Sequence, residues 1–242
     1  MPDASRGPAR REDIMRRQHH RAGAVVAGLV VALGLTACSG EADEEEPTAA
    51  ATSEVEETEE EPVAVEGQPA WANPIAEGGE VIATFELGDL TVEARQMGTE
   101  TATRTGNFVD PEDNEPIISE GDEIVYVQYV VTNTGDPIDL GSSLVSFDAR
   151  YDDWPYLQGM DGTTDLEQYE SLGLFTSGVA AGEAADPPVY TLGTGESFSV
   201  SENFLYQAGS PLTIEATMTP VDAQGDLLHD DRVEAEGSGT IS

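Results

Sequence analysis

The chain contains one thiol, and its neighbours decide what that thiol can do. Cys38 closes the segment Leu35-Thr36-Ala37-Cys38, which follows an uninterrupted small and apolar run from Ala22 to Leu35 and, before it, six arginines. A basic start, an apolar middle and small residues at a cut site make a signal peptide over residues 1–37. As a helix the run would reach only about 21 Å, short of the roughly 30 Å hydrocarbon core, so it does not read as a permanent span. Two chemistries stay open for Cys38: an incidental thiol beside an ordinary cleavage site, or the acylated first residue of the mature protein.

Other nucleophiles lack helpers. Serine hydrolysis needs a base beside the hydroxyl, yet past residue 37 the chain has a single histidine, His229, within the polar stretch Gly225 to Asp231. No G-x-S-x-G elbow is present. One histidine and one cysteine cannot supply the usual nitrogen and sulfur ligands of zinc. Calcium asks instead for clustered oxygens, and two stretches offer them: Asp110, Glu112, Asp113 and Glu115, then Asp152 and Asp153, with Asp161 and Asp165 beyond. Neither follows the EF-hand spacing, so calcium is a candidate ligand and otherwise no cofactor is expected. A glycosidase built on paired carboxylates is compatible with the residue types, because spacing in sequence does not fix separation in space. Trp71, Trp154 and Tyr156 could anchor loops or meet a glycan or protein.

Leu35-Thr36-Ala37-Cys38 resembles the bacterial lipobox, in which a diacylglycerol joins the cysteine sulfur and cleavage leaves that cysteine as the N-terminus. The resemblance implies a protein anchored by lipid to the extracytoplasmic face of a cell membrane.

Charge narrows the partners. The whole chain carries −38, and removing residues 1–37 takes away six arginines and three acids, which brings the net charge to −41. No lysine occurs, and the remaining cations are Arg95, Arg104, Arg150 and Arg232. Nucleic acid is excluded as a partner, because neutralising phosphates takes clustered basic residues. Much of the acidity lies between Glu41 and Glu66, with Asp43-Glu44-Glu45-Glu46 and Glu59-Glu60-Glu61 separated by Ala, Thr, Ser and Pro. Such a segment cannot bury apolar surface and is expected to stay disordered. Residues 38–75 thus read as a lipidated start and acidic linker, spanning roughly 30 Å or more.

From residue 76 the pattern becomes short alternating stretches. Val81, Ala83, Phe85 and Leu87 share one face, Gly88-Asp89 signals a turn, and Leu90, Val92 and Ala94 resume the alternation. That is a hairpin. Ile124 to Thr132 is apolar on both faces and reads as a central strand. Alternation recurs over Val145–Tyr151, from Phe198 and over Leu212–Met218, while Leu166–Leu172 suggests one helical turn. Glu202 falls in phase with Phe198, Val200 and Phe204, which would aim a carboxylate inward unless a bulge or strand end intervenes. Six or seven strands with long loops at 98–120 and 152–188 predict an all-β fold over residues 76–242, an immunoglobulin-like antiparallel β-sandwich preceded by the signal peptide and disordered acidic linker.

Two segments carry a family likeness. Tyr129-Val130-Val131-Thr132-Asn133-Thr134-Gly135-Asp136-Pro137-Ile138 runs a strand into an Asn-x-Gly corner, and Leu192-Gly193-Thr194-Gly195-Glu196 has Thr194 where a proline is usual. Both are similar to segments of the telokin-like, immunoglobulin-fold domains of bacterial lipoproteins and secreted antigens. The resemblance implies a surface domain without shared catalytic residues. The expectation is therefore a non-enzymatic interaction or accessory domain, anchored to the membrane by lipid and meeting an extracytoplasmic protein or glycan. A calcium-binding adhesion module and a carboxylate-dependent hydrolase are the alternatives.

Overall fold

A computed structural model describes residues 67–160 and 162–242; the signal peptide, Cys38 and the acidic run to Glu66 lie outside the described residues. The described chain is an all-β sandwich of two antiparallel four-stranded sheets. Its strands are β1 (Glu80–Leu87), β2 (Leu90–Thr101), β3 (Glu123–Asn133), β4 (Ile138–Tyr151), β5 (Tyr190–Leu192), β6 (Ser197–Leu205), β7 (Pro211–Pro220) and β8 (Val233–Thr240). A six-residue helix, α1 (Leu166–Ser171), sits in the β4–β5 connection as the sequence suggested. The first sheet runs β1-β2-β3-β6 and the second β5-β4-β7-β8. From β2 onward this is the order A-B-E against C′-C-F-G of an immunoglobulin sandwich, with β1 added at the outer edge.

Hydrophobic alternation builds the interior. Val125, Val127, Tyr129 and Val131 of β3 face Ala149, Tyr151, Ile214 and Ala216 of the second sheet in one buried cluster. The other face of β3 is buried for a separate reason. Ile124 and Tyr126 are covered by Ala102 and Ile118 from the β2–β3 loop and by Tyr169 and Leu174 from the β4–β5 connection. Tyr126 and Tyr169 meet edge to face with centroids 4.9 Å apart. The two long loops therefore form a third layer over the first sheet, and a strand apolar on both faces is the result.

The two edges of the sandwich are unlike. At one, β1 and β8 approach so closely that a Cβ on Gly237 would lie 2.2 Å from the Phe85 ring, and one on Gly239 would lie 2.7 Å from the Ile82 carbonyl oxygen. At the other, β5 covers β4 only over Ile138–Leu140, and no named strand pairs with the outer edge of β4 beyond that.

Residues 67–75, expected to belong to the linker, are instead tied to the sandwich. Gly67 accepts the Ser197 N–H (2.8 Å), and Ala72 bridges Val179. The buried Asn73 side chain donates to the carbonyls of Ser177 (2.8 Å) and Val179 (3.1 Å), and the Trp71 ring lies 5.4 Å from Tyr190 and 5.7 Å from Phe198. A tryptophan and a buried amide give this stretch the apolar area and hydrogen bonds that the preceding acidic run lacks.

The Asn-x-Gly corner fastens the sheets. Asn133 is fully buried; its Nδ2 donates to the carbonyls of Leu192 (2.9 Å) and Asp136 (2.8 Å), and its Oδ1 accepts from Gly135 N–H (2.9 Å). Its backbone donates to Glu196 O (2.9 Å) and accepts from Gly195 N–H (2.7 Å). Asn133→Ala would leave three backbone groups without their side-chain partner, the Leu192 carbonyl among them in the interior, and unfolding free energy should fall by roughly 2–4 kcal/mol in urea titrations. A midpoint equal to wild type would contradict this role.

Candidate functional site

The half-covered edge opens into the interior at Glu202. Strand β6 pairs with β3 in unbroken register from Ile124↔Leu205 to Thr132↔Ser197, so no bulge turns Glu202 outward and it is not a strand end. The expected irregularity lies across the gap, in β4, where register with β7 shifts between Leu140 and Val145. Leu144 takes φ +50° there, a left-handed conformation that costs a non-glycine residue about 1–2 kcal/mol. The distortion brings Ser142 and Ser143 to the rim of a cavity of about 360 Å³. Its walls also include Thr176, Ser177, Val200 and Glu202. A second cavity of about 220 Å³ continues along β4 past Asp148 to Met160, again with Glu202 in its wall.

Glu202 accepts a hydrogen bond from the Tyr129 hydroxyl. Tyr129 is buried and stacks on Phe147, the ring centroids 4.2 Å apart and nearly parallel at 12°. Burial pushes the Tyr129 phenol well above its ordinary value, and the charge of Glu202 pushes it further the same way. The phenol therefore stays protonated and remains a donor, which lets a carboxylate sit between two sheets at all.

The cleft is also lined by backbone that no strand uses. Asp152 N–H donates to Pro211 O across the β4–β7 pairing (3.0 Å), whereas Tyr151 N–H turns away to Met160 Sδ (3.1 Å). Strand alternation then points the N–H groups of Val145, Phe147 and Ala149 away from β7, into the gap. On the facing edge of β6, Ser197 and Ser201 N–H also point outward, to Gly67 O and Phe175 O, both at 2.8 Å.

The calcium candidates are placed elsewhere. Asp110 Oδ1 accepts from Glu112 N–H (2.8 Å) and its Oδ2 from Tyr156 OH (2.9 Å), while Asp113 Oδ1 accepts from Glu115 N–H (2.9 Å). These are Asx turns that shape the loop. The side chains of Glu112, Glu115 and Asp153 are exposed, and Asp152 accepts from the Thr213 hydroxyl (2.8 Å). Asp165 caps α1 and also accepts from the Thr103 hydroxyl, which holds its carboxyl below the ordinary range. Among the described residues, no three His, Cys, Asp or Glu side chains gather as a metal site; Asp161 lies outside them.

The aromatics serve packing. Trp154 is buried against Tyr151 and Tyr156 and donates to Gln158 O (3.1 Å), while Arg150 donates to the Tyr156 and Gln158 carbonyls. His229 lies in an exposed 3-10 turn (His229–Asp231).

No family model matches the chain, and no curated protein matches it. A solved structure from Bacillus subtilis, provisionally named as the lipoprotein ycdA, aligns 67% of this chain with 39% of its own at 17% identity and a TM-score of 0.30. The chain thus spans about two fifths of that structure's length. A TM-score that low carries no argument. The telokin-like likeness rests on its two segments, and both are occupied in the corner: Thr194 Oγ1 donates to Gly135 O (2.7 Å) and the Glu196 carboxylate accepts from Gly193 N–H (2.7 Å). Their duty is structural.

Glu202→Leu leaves the buried Tyr129 hydroxyl without its acceptor and should cost roughly 1–3 kcal/mol of stability. Replacing Tyr129 by Phe in that background removes both polar partners together and should recover most of the loss. Urea unfolding of the three proteins decides it; a double variant as unstable as Glu202→Leu would make the carboxylate a structural necessity.

Proposed function

We propose that the chain is a membrane-anchored extracytoplasmic lipoprotein, held by lipid on Cys38, whose sandwich serves as a non-enzymatic interaction or accessory domain. The observation that carries this reading is the coincidence of the chain's lone cysteine with the lipobox-like Leu35-Thr36-Ala37-Cys38 directly after the apolar run. Each buried acyl methylene adds roughly 0.8 kcal/mol of membrane affinity, so several chains on one residue suffice as an anchor. The acidic residues up to Glu66 would act as spacer.

The described residues support the second half of the proposal by their chemistry. In the cleft, the carboxylate of Glu202 is engaged by a phenol that stays protonated, and the chain's only histidine past residue 37 stands in an exposed turn. A nucleophile with a neighbouring base is the signature of acyl transfer, and the Glu202 cleft holds hydroxyls without an imidazole. The immunoglobulin-like strand order favours the same reading, since that architecture commonly presents binding surfaces on a rigid frame. The partner class is an extracytoplasmic protein.

Cys38→Ala separates anchoring from folding. In cells fed radiolabelled palmitate, the wild-type protein should carry label and sediment with membranes, while Cys38→Ala should be unlabelled and released from them. If Cys38→Ala sedimented as completely as wild type, the anchoring proposal would fail.

A further inference from the structure

The gap between β4 and β6 brings three features together. The outer edge of β4 carries N–H groups at Val145, Phe147 and Ala149 directed away from β7, and β5 covers that edge only up to Leu140. Two cavities lie along this edge, with Phe147 and Glu202 in the walls of both. Among the described residues, their walls include the carboxylates of Glu202 and Asp148 and no basic residue.

From this geometry we propose that the gap receives an extended segment of a partner protein, which pairs with β4 over Val145–Ala149 and sets a lysine or arginine side chain against Glu202. The inference deepens the interaction-domain reading and rests on it. Strand addition suits a site whose outward-facing backbone N–H groups lie in a row, because the main chain supplies affinity and alternate side chains supply choice. The added strand would continue the line of β5 beyond the β4 bulge. Every second side chain would then point toward the cleft floor, where Glu202 and the Tyr129–Phe147 stack lie.

Charge selects the occupant. Residues 67–242 hold 33 acids and four arginines. Arg95, Arg104 and Arg232 pair with Glu93, Asp165 and Glu234, and Arg150 is engaged by backbone carbonyls. An acidic or neutral strand would be repelled or indifferent, and a basic one drawn in. A carboxylate accepts several hydrogen bonds at once, so a cationic donor is compatible with the bond from Tyr129 to Glu202.

The probe is a short strand-forming peptide, acetyl-Thr-Val-Lys-Val-Thr-amide, compared with the same peptide carrying norleucine in place of lysine. Titration into the 15N-labelled full chain with Cys38→Ser, at about 0.5 M salt to screen diffuse attraction, reads amide shifts. The lysine peptide should saturate shifts confined to Val145–Ala149, Tyr129 and Glu202. The norleucine peptide should bind about tenfold more weakly, and Glu202→Gln, which can still accept from Tyr129, should lower the lysine peptide to that level. Equal affinity of the two peptides, unsaturable shifts spread over the acidic surface, or saturation of the same amides by a disaccharide of N-acetylglucosamine but not by peptide would each overturn the proposal. Because the anchor is absent from this experiment, its failure leaves the lipid proposal standing.

Discussion

One buried amide ties together two of the chain crossings that join the sheets. The chain passes from the first sheet to the second between β3 and β4 and returns between β5 and β6, and both passages run by Asn133. Its side chain bonds the outgoing turn at Gly135 and Asp136 and the end of β5 at Leu192, while its backbone bonds the return at Gly195 and Glu196. Thr134 adds the β1–β2 turn through Asp89 O (2.9 Å from its N–H and 2.7 Å from its hydroxyl). Burying so polar a side chain is tolerable only because each of its groups finds a partner.

The rest of the architecture follows from where that fastening leaves slack. With two of the three crossings pinned at one end, the sheets close along the β1–β8 side, where Gly237 and Gly239 remove the side chains that would hold the strands apart. They stay apart along the β4–β6 side, where β5 is three residues long and β4 is bulged. A carboxylate facing inward from a closed sandwich would pay a large desolvation cost. At Glu202 the gap supplies room and Tyr129 supplies a proton donor, so position and tolerance arise from the same asymmetry.

Much of this was legible from residue order, and the rest was hidden for identifiable reasons. The β1–β2 hairpin could be read because Gly88 adopts φ +63° at a two-residue turn between alternating runs. The phase of Glu202 was readable as well; its surroundings were not, since they depend on a distortion in a strand sixty residues earlier. Strand β8 escaped because Gly237 and Gly239 replace apolar side chains where β1 comes close, erasing half of the alternation. Val130 and Ile124 looked like a doubly packed central strand and are one, but the covering layer comes from loops that periodicity cannot assign. The carboxylates at 110–115 suggested a cation, whereas Asp110 and Asp113 each bond the N–H two residues ahead, a spacing that marks Asx turns.

Amide hydrogen exchange along β4 tests the open edge most directly. The account predicts rapid exchange at Phe147 and Ala149, whose N–H groups face the gap, with neighbouring Asp148 and Arg150, paired to β7, slower by about a hundredfold or more. Uniform protection along β4 would mean that the edge is already satisfied, and a closed sandwich would replace the one described.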